Sequence, residues 1–444
     1  MAAEVGYVER TLAGGEALVR YQGGLALVAG ALAGETVTFS CEGRHRGVMR
    51  GQLLSVVDTP SSHRIAAACP LATPSDTVCG GCALQMLAAT EHARLKLSWI
   101  SHHFAPLIDD SVAVGWLPGA PPAALWQRRR RVRWHVAVQG GGTHSVVVGF
   151  RPKRSHAVLD SGDCCVVTPA LGALRTELQR AIEGGVLPPL AAVTATQLSD
   201  GIHIVIDGAE AIGGTQTLAP PSTPPFTTLQ WEEGLSLPLQ WWWRRGGDLQ
   251  PWGSPVALFH DRLPAADGGD VMLEVGADSF VQADSGANRA LIHWLIAQAQ
   301  TGSRVVDLFC GGGNCSLPLA TAGCTIVGAD SSASAIASAR RSSHHLGVET
   351  DYRVVDLFHQ FDPEPFVGAD LLLLDPPRKG ARRVVSLMGR LLPRSIIMLH
   401  CDPAAGGRDA KAVAKQGYRL QALYALDMFA WSGHVETVSL WSYG

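Results

Sequence analysis

Val305-Val306-Asp307-Leu308-Phe309-Cys310-Gly311-Gly312-Gly313-Asn314 reads as an apolar strand, a tight glycine turn and the start of a helix. Glycines let a backbone approach a ligand closely. A second strand ends in Gly328-Ala329-Asp330, nineteen residues after Gly311. An acid at that place can accept both hydroxyls of a ribose. The spacing is not the GxGxxG of dinucleotide sites, and no P-loop Lys-Ser/Thr follows. The combination favours S-adenosylmethionine over NAD or ATP. Working outward, strands are expected at 304–309, 325–329, 352–355, 370–374, 395–400 and 418–424, with helices at 315–322, 332–345 and 408–415. Such alternation predicts an α/β unit, a doubly wound, mostly parallel sheet over residues 276–444.

Two further tracts lie at strand ends, where open α/β sheets bind ligands. Asp375-Pro376-Pro377-Arg378 ends one strand. Amino-directed methyltransferases have an aromatic after the prolines, whereas Arg378 stands here. Ser395-Ile396-Ile397-Met398-Leu399-His400-Cys401-Asp402-Pro403 delivers a cysteine to the end of the next. Pyrimidine C5 is a poor nucleophile until a thiolate adds at C6, so Cys401 suits covalent catalysis on a base. That reaction needs a group to remove the C5 proton. Glu436, in Gly433-His434-Val435-Glu436-Thr437, is the candidate, with His434 its local competitor.

Residues 1–59 read as a small β-barrel, with Tyr21-Gln22-Gly23-Gly24 as a hairpin turn and Gly34 to Phe39 alternating as a half-buried strand. A five-stranded barrel of this size suits oligonucleotide binding. Residues 60–275 read as a mainly β central domain, and a helix over Leu84 to Leu107 is expected to pack on the catalytic domain. Trp241-Trp242-Trp243-Arg244-Arg245 reads as buried strand. Ten cysteines in a long chain without an evident signal peptide point to metal or catalysis before disulfides. Cys69, Cys79, Cys82 and the pair Cys164-Cys165 suit a four-thiolate site, iron–sulfur or zinc. Cys41, Cys310, Cys315 and Cys324 read as packing residues.

The net charge of −3 hides an asymmetry. Residues 1–160 hold 16 Lys and Arg against 11 Asp and Glu, and the remainder carries the acidic excess. If alternate residues among the basic Arg128 to Arg131, Arg133, Arg151, Lys153 and Arg154 face outward, they form a stripe that can track phosphates. The alternative is pairing with local carboxylates such as Asp160. No apolar run reaches the roughly 18–20 residues of a membrane span. A cytoplasmic enzyme, monomeric by default, is the expectation.

Together these residues resemble the RNA 5-methyluridine methyltransferases, in the subgroup with an N-terminal TRAM barrel and a [4Fe–4S] cluster. Gly34-Glu35-Thr36-Val37 resembles the G-E-x-V of TRAM. Cys69, Cys79-Gly80-Gly81-Cys82 and Leu84-Gln85 resemble the cluster loop, and Gly149 to Ser155 the strand before the fourth ligand. The resemblance implies Cys69, Cys79, Cys82 and Cys164 as cluster ligands, with Cys165 competing for the fourth place. It implies Gln282, Phe309, Asn314, Asp330, Asp356 and Asp375 at the cofactor, Cys401 as nucleophile and Glu436 as base. Phe280-Val281-Gln282 and Asn288 resemble the opening motif of the catalytic domain. Departures are His400-Cys401-Asp402-Pro403 for Ser-Cys-Asn-Pro, Asp for Asn at 284 and 356, and nine residues between Cys69 and Cys79.

The implied activity is S-adenosylmethionine-dependent formation of 5-methyluridine in RNA, with 23S rRNA as first substrate and tRNA as second. The rivals are an RNA 5-methylcytosine methyltransferase and a non-catalytic iron–sulfur RNA-binding protein.

Overall fold

The computed structural model describes residues 3–444 except 13, 46, 73–77, 121–125, 140–144, 153–154, 163, 188–189, 209–222, 233, 246, 254–257 and 360. Lys153 and Arg154 of the basic tract therefore lie outside the described residues.

β1 (Ala3–Thr11), β2 (Glu16–Tyr21), β3 (Gly24–Ala29), β4 (Thr36–His45) and β5 (Val48–Val56) close into a barrel in the order β1-β2-β3-β5-β4. Alternate residues point inward, so Val8, Val19, Val28, Val37 and Phe39 fill the interior. Glu35 is fully buried beside it. Arg64, from the linker, holds both Glu35 oxygens at 2.7 Å, and the amides of Leu32 and Ser61 donate to them. Burial alone would raise the Glu35 carboxyl, but the Arg64 fork and those amides bring it below the usual carboxylate range.

α1 (Ala89–Phe104) begins five residues later than its periodicity suggests, because residues 83–86 are spent in turns. Its buried face carries Leu95, Trp99, Ile100 and Phe104 and packs against the C-terminal layer. β6 (Ala113–Trp116) follows.

The central sheet is built from β7 (Arg131–Gln139), β8 (Ser145–Phe150), β9 (Leu159–Asp160), β10 (Leu190–Gln197), β11 (Ile202–Gly208), β12 (Thr228–Glu232), β13 (Leu235–Arg245) and β14 (Asp248–Trp252), with α2 (Pro169–Glu183) on one face. Trp241 and Trp243 are buried on that face. Trp242, on the other, donates to His203 Nδ1 at 3.1 Å. The tryptophan run is thus core, as its alternation requires.

A hairpin of β15 (Phe259–Pro264) and β16 (Asp270–Val275) precedes the C-terminal layer. There α3 (Ser285–Gln298), β17 (Arg304–Leu308), α4 (Ser316–Thr321), β18 (Thr325–Asp330), α5 (Ala333–Leu346), β19 (Thr350–Val354), β20 (Leu371–Leu374), α6 (Arg382–Val385), α7 (Met388–Leu391), β21 (Ser395–His400), α8 (Pro403–Ala414), β22 (Tyr418–Leu426) and β23 (Glu436–Tyr443) alternate. The strand order is β19-β18-β17-β20-β21-β23-β22-β6, parallel from β19 to β21, with β23 antiparallel to both neighbours. Both faces are covered. Val306, Leu308, Ile396 and Met398 point to one apolar cluster, and Val305, Ile397 and Leu399 to the other. β6 pairs with β22 and the β15–β16 hairpin packs on α5, so both belong in space to this layer, not to the central sheet. Each supplies apolar residues, Trp116 and Leu273 among them, that the C-terminal clusters bury. Among the described residues no helix is long and apolar enough to cross a membrane.

Candidate active site

The C-terminal ends of β17, β18 and β20 meet around the glycine turn. Gly311 and Gly313 have positive φ, as does Phe309 at 68°, a conformation non-glycine residues rarely adopt. A Cβ on Gly313 would sit 2.9 Å from Leu317 and the Tyr352 hydroxyl, so the turn presses directly on its own core. Asp330 accepts from the amides of Gly311 (3.0 Å) and Ser332 (2.8 Å), which locks the second strand end to the turn. Asn314 and Asn288 exchange reciprocal side-chain amide bonds at 2.8 and 3.0 Å. Gln282 Nε2 donates to Asp375 Oδ2 at 3.4 Å.

Three carboxylates crowd this edge. Burial pushes Asp307 up to about 7, with Asp375 and Asp330 adding to it and Ser316 opposing. Burial and the neighbouring Asp330 push Asp375 up to about 7. Asp307 Oδ2 is buried without a hydrogen-bond partner. A cationic ligand would relieve the two raised carboxyls, Asp307 and Asp375. Asp356, by contrast, is exposed, and its oxygens are taken by the Phe358 amide (2.9 Å) and His359 Nδ1 (2.7 Å).

Cys401 follows the last residue of β21. In the antiparallel pairing of β21 with β23, Leu399 faces Val438 and His400 faces Thr437. One more step of that register sets Cys401 opposite Glu436. Burial pushes the Cys401 thiol up to about 11, with Glu436 adding and Arg378 pulling the other way. Burial, then Asp375, pushes Glu436 up to about 8, again against Arg378. The DPPR arginine is therefore the local cation of this pair. His434 keeps part of its surface exposed, and desolvation of the remainder, then Arg378, lowers its affinity for a proton.

The departures at 402, 284 and 356 share a physical reason. Asp402 caps α8, accepting from the amides of Ala404 and Ala405, and Asp284 caps α3 through the Ala287 amide. Asp356 caps a turn. Asp and Asn serve such positions about equally. The added charge at 284 is met by Arg128, 2.6 Å away, and the carboxylate at 356 bonds His359 Nδ1 at 2.7 Å. His400 is buried and bonds Asp409, which also accepts from the Ala381 amide.

The cysteines of the loop converge. Cys79 bridges to Pro152, Gly80 donates to the Arg151 carbonyl, and the Cys69 amide donates to Gln85 Oε1 at 3.0 Å. Gln85 Nε2 lies 3.8 Å from Cys165 Sγ, while the amides of Val166 and Val167 point at Cys164. Burial raises the thiols of Cys79, Cys82, Cys164 and Cys165, and their mutual charge adds to it. Among the described residues no three His, Cys, Asp or Glu side chains form a group that could hold a metal ion.

The arginine tract divides between its alternate residues. Arg128 pairs with Asp284, and buried Arg130 pairs with Asp261 at 2.6 Å and donates to the Gln282 carbonyl. Both tie the central domain to the segment bearing Gln282. Arg129, near the cysteines, together with Arg131 and Arg133 lines a cleft of about 820 Å3 that Arg378 and His434 also line. Asp160 pairs with Arg175, outside the tract.

Residues 270–401 match the family model described as "Methyltransferase small domain". The 23S rRNA (uracil(1939)-C(5))-methyltransferase RlmD of Alkalilimnicola ehrlichii is 33% identical over 433 residues, covering 93% of this chain and 90% of that protein. The chain belongs to the RNA uracil-C5 methyltransferases. The RlmD of Shewanella baltica is 30% identical over 440 residues, covering 96% and 92%. The fold agrees with the solved Pyrococcus abyssi tRNA (uracil-54, C5)-methyltransferase in complex with S-adenosyl-L-homocysteine, at a TM-score of 0.74, 20% identity, 98% coverage of this chain and 100% of that one. The enzyme is an S-adenosylmethionine-dependent RNA methyltransferase of α/β fold with an N-terminal barrel.

Sequence reasoning missed one buried group in this methyltransferase. Lys96, fully buried on α1, bonds Asp427 at 2.8 Å and the Phe429 carbonyl at 3.0 Å. It pins the 427–434 loop that leads into Glu436. A lysine between Leu95 and Leu97, on the apolar face of a helix, was the available signal.

Proposed function

We propose that this enzyme methylates C5 of a uracil in 23S rRNA through a covalent adduct of Cys401. The observation that carries the reading is Cys401 one step beyond the β21–β23 register, close to Glu436, Arg378 and Asp375. Relatives spanning nine-tenths of the chain are named for uracil 1939 of 23S rRNA, which favours rRNA over tRNA.

S-adenosylmethionine supplies a methyl group on a sulfonium. Gln282, Phe309, Asn314, Asp330, Asp356 and Asp375 are the proposed residues that hold it. The glycine turn, the ribose-type acid and the crowded carboxylates fit that cation. Cys401 Sγ, as thiolate, adds to C6, and the C5–C6 electrons move toward O4. C5 would then take the methyl group as the sulfonium S–CH3 bond breaks, leaving S-adenosylhomocysteine as the neutral thioether product. The Glu436 carboxylate removes the C5 proton, the double bond reforms and Cys401 is expelled. Arg378 favours both the thiolate and the carboxylate.

Cys69, Cys79, Cys82 and Cys164 as ligands of a [4Fe–4S] cluster belong to the same proposal. The convergence of buried thiols supports it, as do the two amides aimed at Cys164. Thiolate ligands require a reducing compartment, so a cytoplasmic setting is part of the reading. A monomer is too, since one chain supplies every residue named. The test is transfer of labelled methyl to 23S rRNA fragments, with mass-spectrometric mapping of the product. Wild type should form 5-methyluridine and Cys401→Ala none; substantial turnover by the variant removes the covalent mechanism.

A further inference from the structure

Behind the candidate site, two buried polar atoms lack partners, and they belong to residues that face each other. His400 Nδ1 and Thr437 Oγ1 are both buried without a hydrogen bond. His400 pairs with Thr437 across β21 and β23, and side chains directly opposite in antiparallel strands share one face of the sheet. Here that is the α8 face. Ile396 and Met398, in step with His400, and Trp441, in step with Thr437, belong to one apolar cluster. Leu399 and Val438, one residue out of step, belong to the other. Cys401 and Glu436 follow that second parity, so they point away from the ring.

The far side of the ring is fixed. His400 Nε2 lies 3.1 Å from Asp409 Oδ2, and the Ala381 amide donates to the same oxygen at 2.6 Å. A carboxylate only accepts, so the ring proton belongs on Nε2, and the neutral ring leaves Nδ1 as an acceptor. The Thr437 hydroxyl is the orphaned donor on the facing residue. Glycines make room for the set. A Cβ on Gly380, at φ 82°, would sit 2.5 Å from Asp409 Oδ2, and one on Gly406 of α8 would sit 3.3 Å from His400 Cγ. Each member neighbours a group of the site. Ala381 comes three residues after Arg378, His400 directly before Cys401, and Thr437 directly after Glu436.

We propose that Asp409, His400 and Thr437 are positioning residues, a hydrogen-bonded chain that holds Arg378, Cys401 and Glu436 in one geometry from behind. The Ala381 amide and His400 Nε2–H donate to Asp409, and the Thr437 hydroxyl donates to His400 Nδ1. The chain touches neither the base nor S-adenosylmethionine. The inference rests on the reaction read above and adds what keeps its three groups in register. Cys401 and Glu436 act on adjacent ring atoms, C6 and C5, so a small shift between their strands costs rate. The histidine that departs from Ser-Cys-Asn-Pro thereby has a task.

The test is steady-state methylation of a 23S rRNA fragment, with kcat taken per molecule that binds S-adenosylmethionine in equilibrium dialysis. That normalisation removes misfolded protein from the comparison. His400→Leu cuts both ring bonds and leaves the bond between Asp409 and Ala381. Its kcat should fall by roughly 10–100-fold, with RNA KM and S-adenosylmethionine affinity at the wild-type values. His400→Gln, whose amide can still donate to Asp409, should be faster than His400→Leu. Thr437→Val keeps the shape, removes the hydroxyl and should lose several-fold in kcat. If His400→Leu does not fold, Thr437→Val carries the test. Wild-type kcat per binding molecule in either variant overturns the proposal, even if Tm falls, because packing alone then explains the set. His400→Gln no faster than His400→Leu overturns it as well. Trapping of wild type on 5-fluorouridine RNA reads the covalent mechanism separately. No adduct there removes that mechanism, whereas an adduct beside unchanged kcat in the variants removes only the positioning role.

Discussion

Replacing Glu436 by glutamine should make the protein more stable at neutral pH and less able to complete turnover. The folded carboxyl titrates near 8, against 4.5 for the ordinary group, because burial and Asp375 disfavour its charge. Between those values the unfolded chain has released the proton and the folded one retains it. Stability therefore falls as pH rises, by about 1.4 kcal/mol per unit. Summed from 4.5 to pH 7, holding Glu436 in the fold costs up to about 3 kcal/mol; at pH 5 it costs only about 1. Glutamine matches the neutral form in shape and has no proton to lose, so the variant escapes that cost. For a unit of 150–250 residues, about 3 kcal/mol corresponds to roughly 6–12 °C in Tm. Paired melting curves of wild type and Glu436→Gln at pH 5 and pH 7 measure it. The gain in Tm should be several-fold larger at pH 7. Asp307 titrates nearby but is common to both proteins, and Asp375, which adds to the Glu436 shift, is part of the effect measured. An equal gain at both pH values, or a loss at pH 7, would refute the reasoning. In kinetics the variant should still accept methyl transfer but retain the RNA, since the C5 proton has lost its base.

Three further outcomes are expected. Glu35→Gln should destabilise the barrel and its linker by about 3–5 kcal/mol, since it leaves Arg64 without its buried partner; chemical denaturation followed by barrel-specific protection from proteolysis reads it. Anaerobically purified protein should contain iron, lost in Cys164→Ser and retained in Cys165→Ser; stoichiometric zinc without iron contradicts the cluster. Asp402→Asn should melt as wild type does, whereas Asp402→Ala should lose about 1 kcal/mol with the cap of α8, so equal losses would show that the charge matters and the cap does not.

Much of the C-terminal layer was legible because its strands are buried on both faces and read as unbroken apolar runs, as at Leu371 to Leu374 and Ile396 to Leu399. The glycine turn and the strand-end acids announced themselves by spacing. What the sequence hid depends on partners far along the chain. Lys96 looks like surface until Asp427, 331 residues away, meets it. The arginine tract looks like one run, yet Asp261 and Asp284 take alternate members and leave Arg129, Arg131 and Arg133 to the cleft. The Asp-for-Asn departures look chemical in sequence, and each carboxylate also caps a helix or a turn. α8 begins at Pro403, five residues before its expected start, because Asp402 caps it and Pro403 fits a first helical turn. β6 is too short to show which sheet it joins.

The covalent step is tested most directly by trapping. Fluorine at C5 of the target uridine cannot leave as a proton does, so Glu436 cannot complete the reaction and the adduct persists. Wild type mixed with S-adenosylmethionine and 5-fluorouridine-substituted 23S rRNA fragments should give a denaturation-resistant complex. Peptide mass spectrometry should place the RNA on Cys401, and Cys401→Ala should give no complex. A stable adduct on any other residue, or methylation of ordinary RNA with no trappable adduct, would contradict the role given to Cys401.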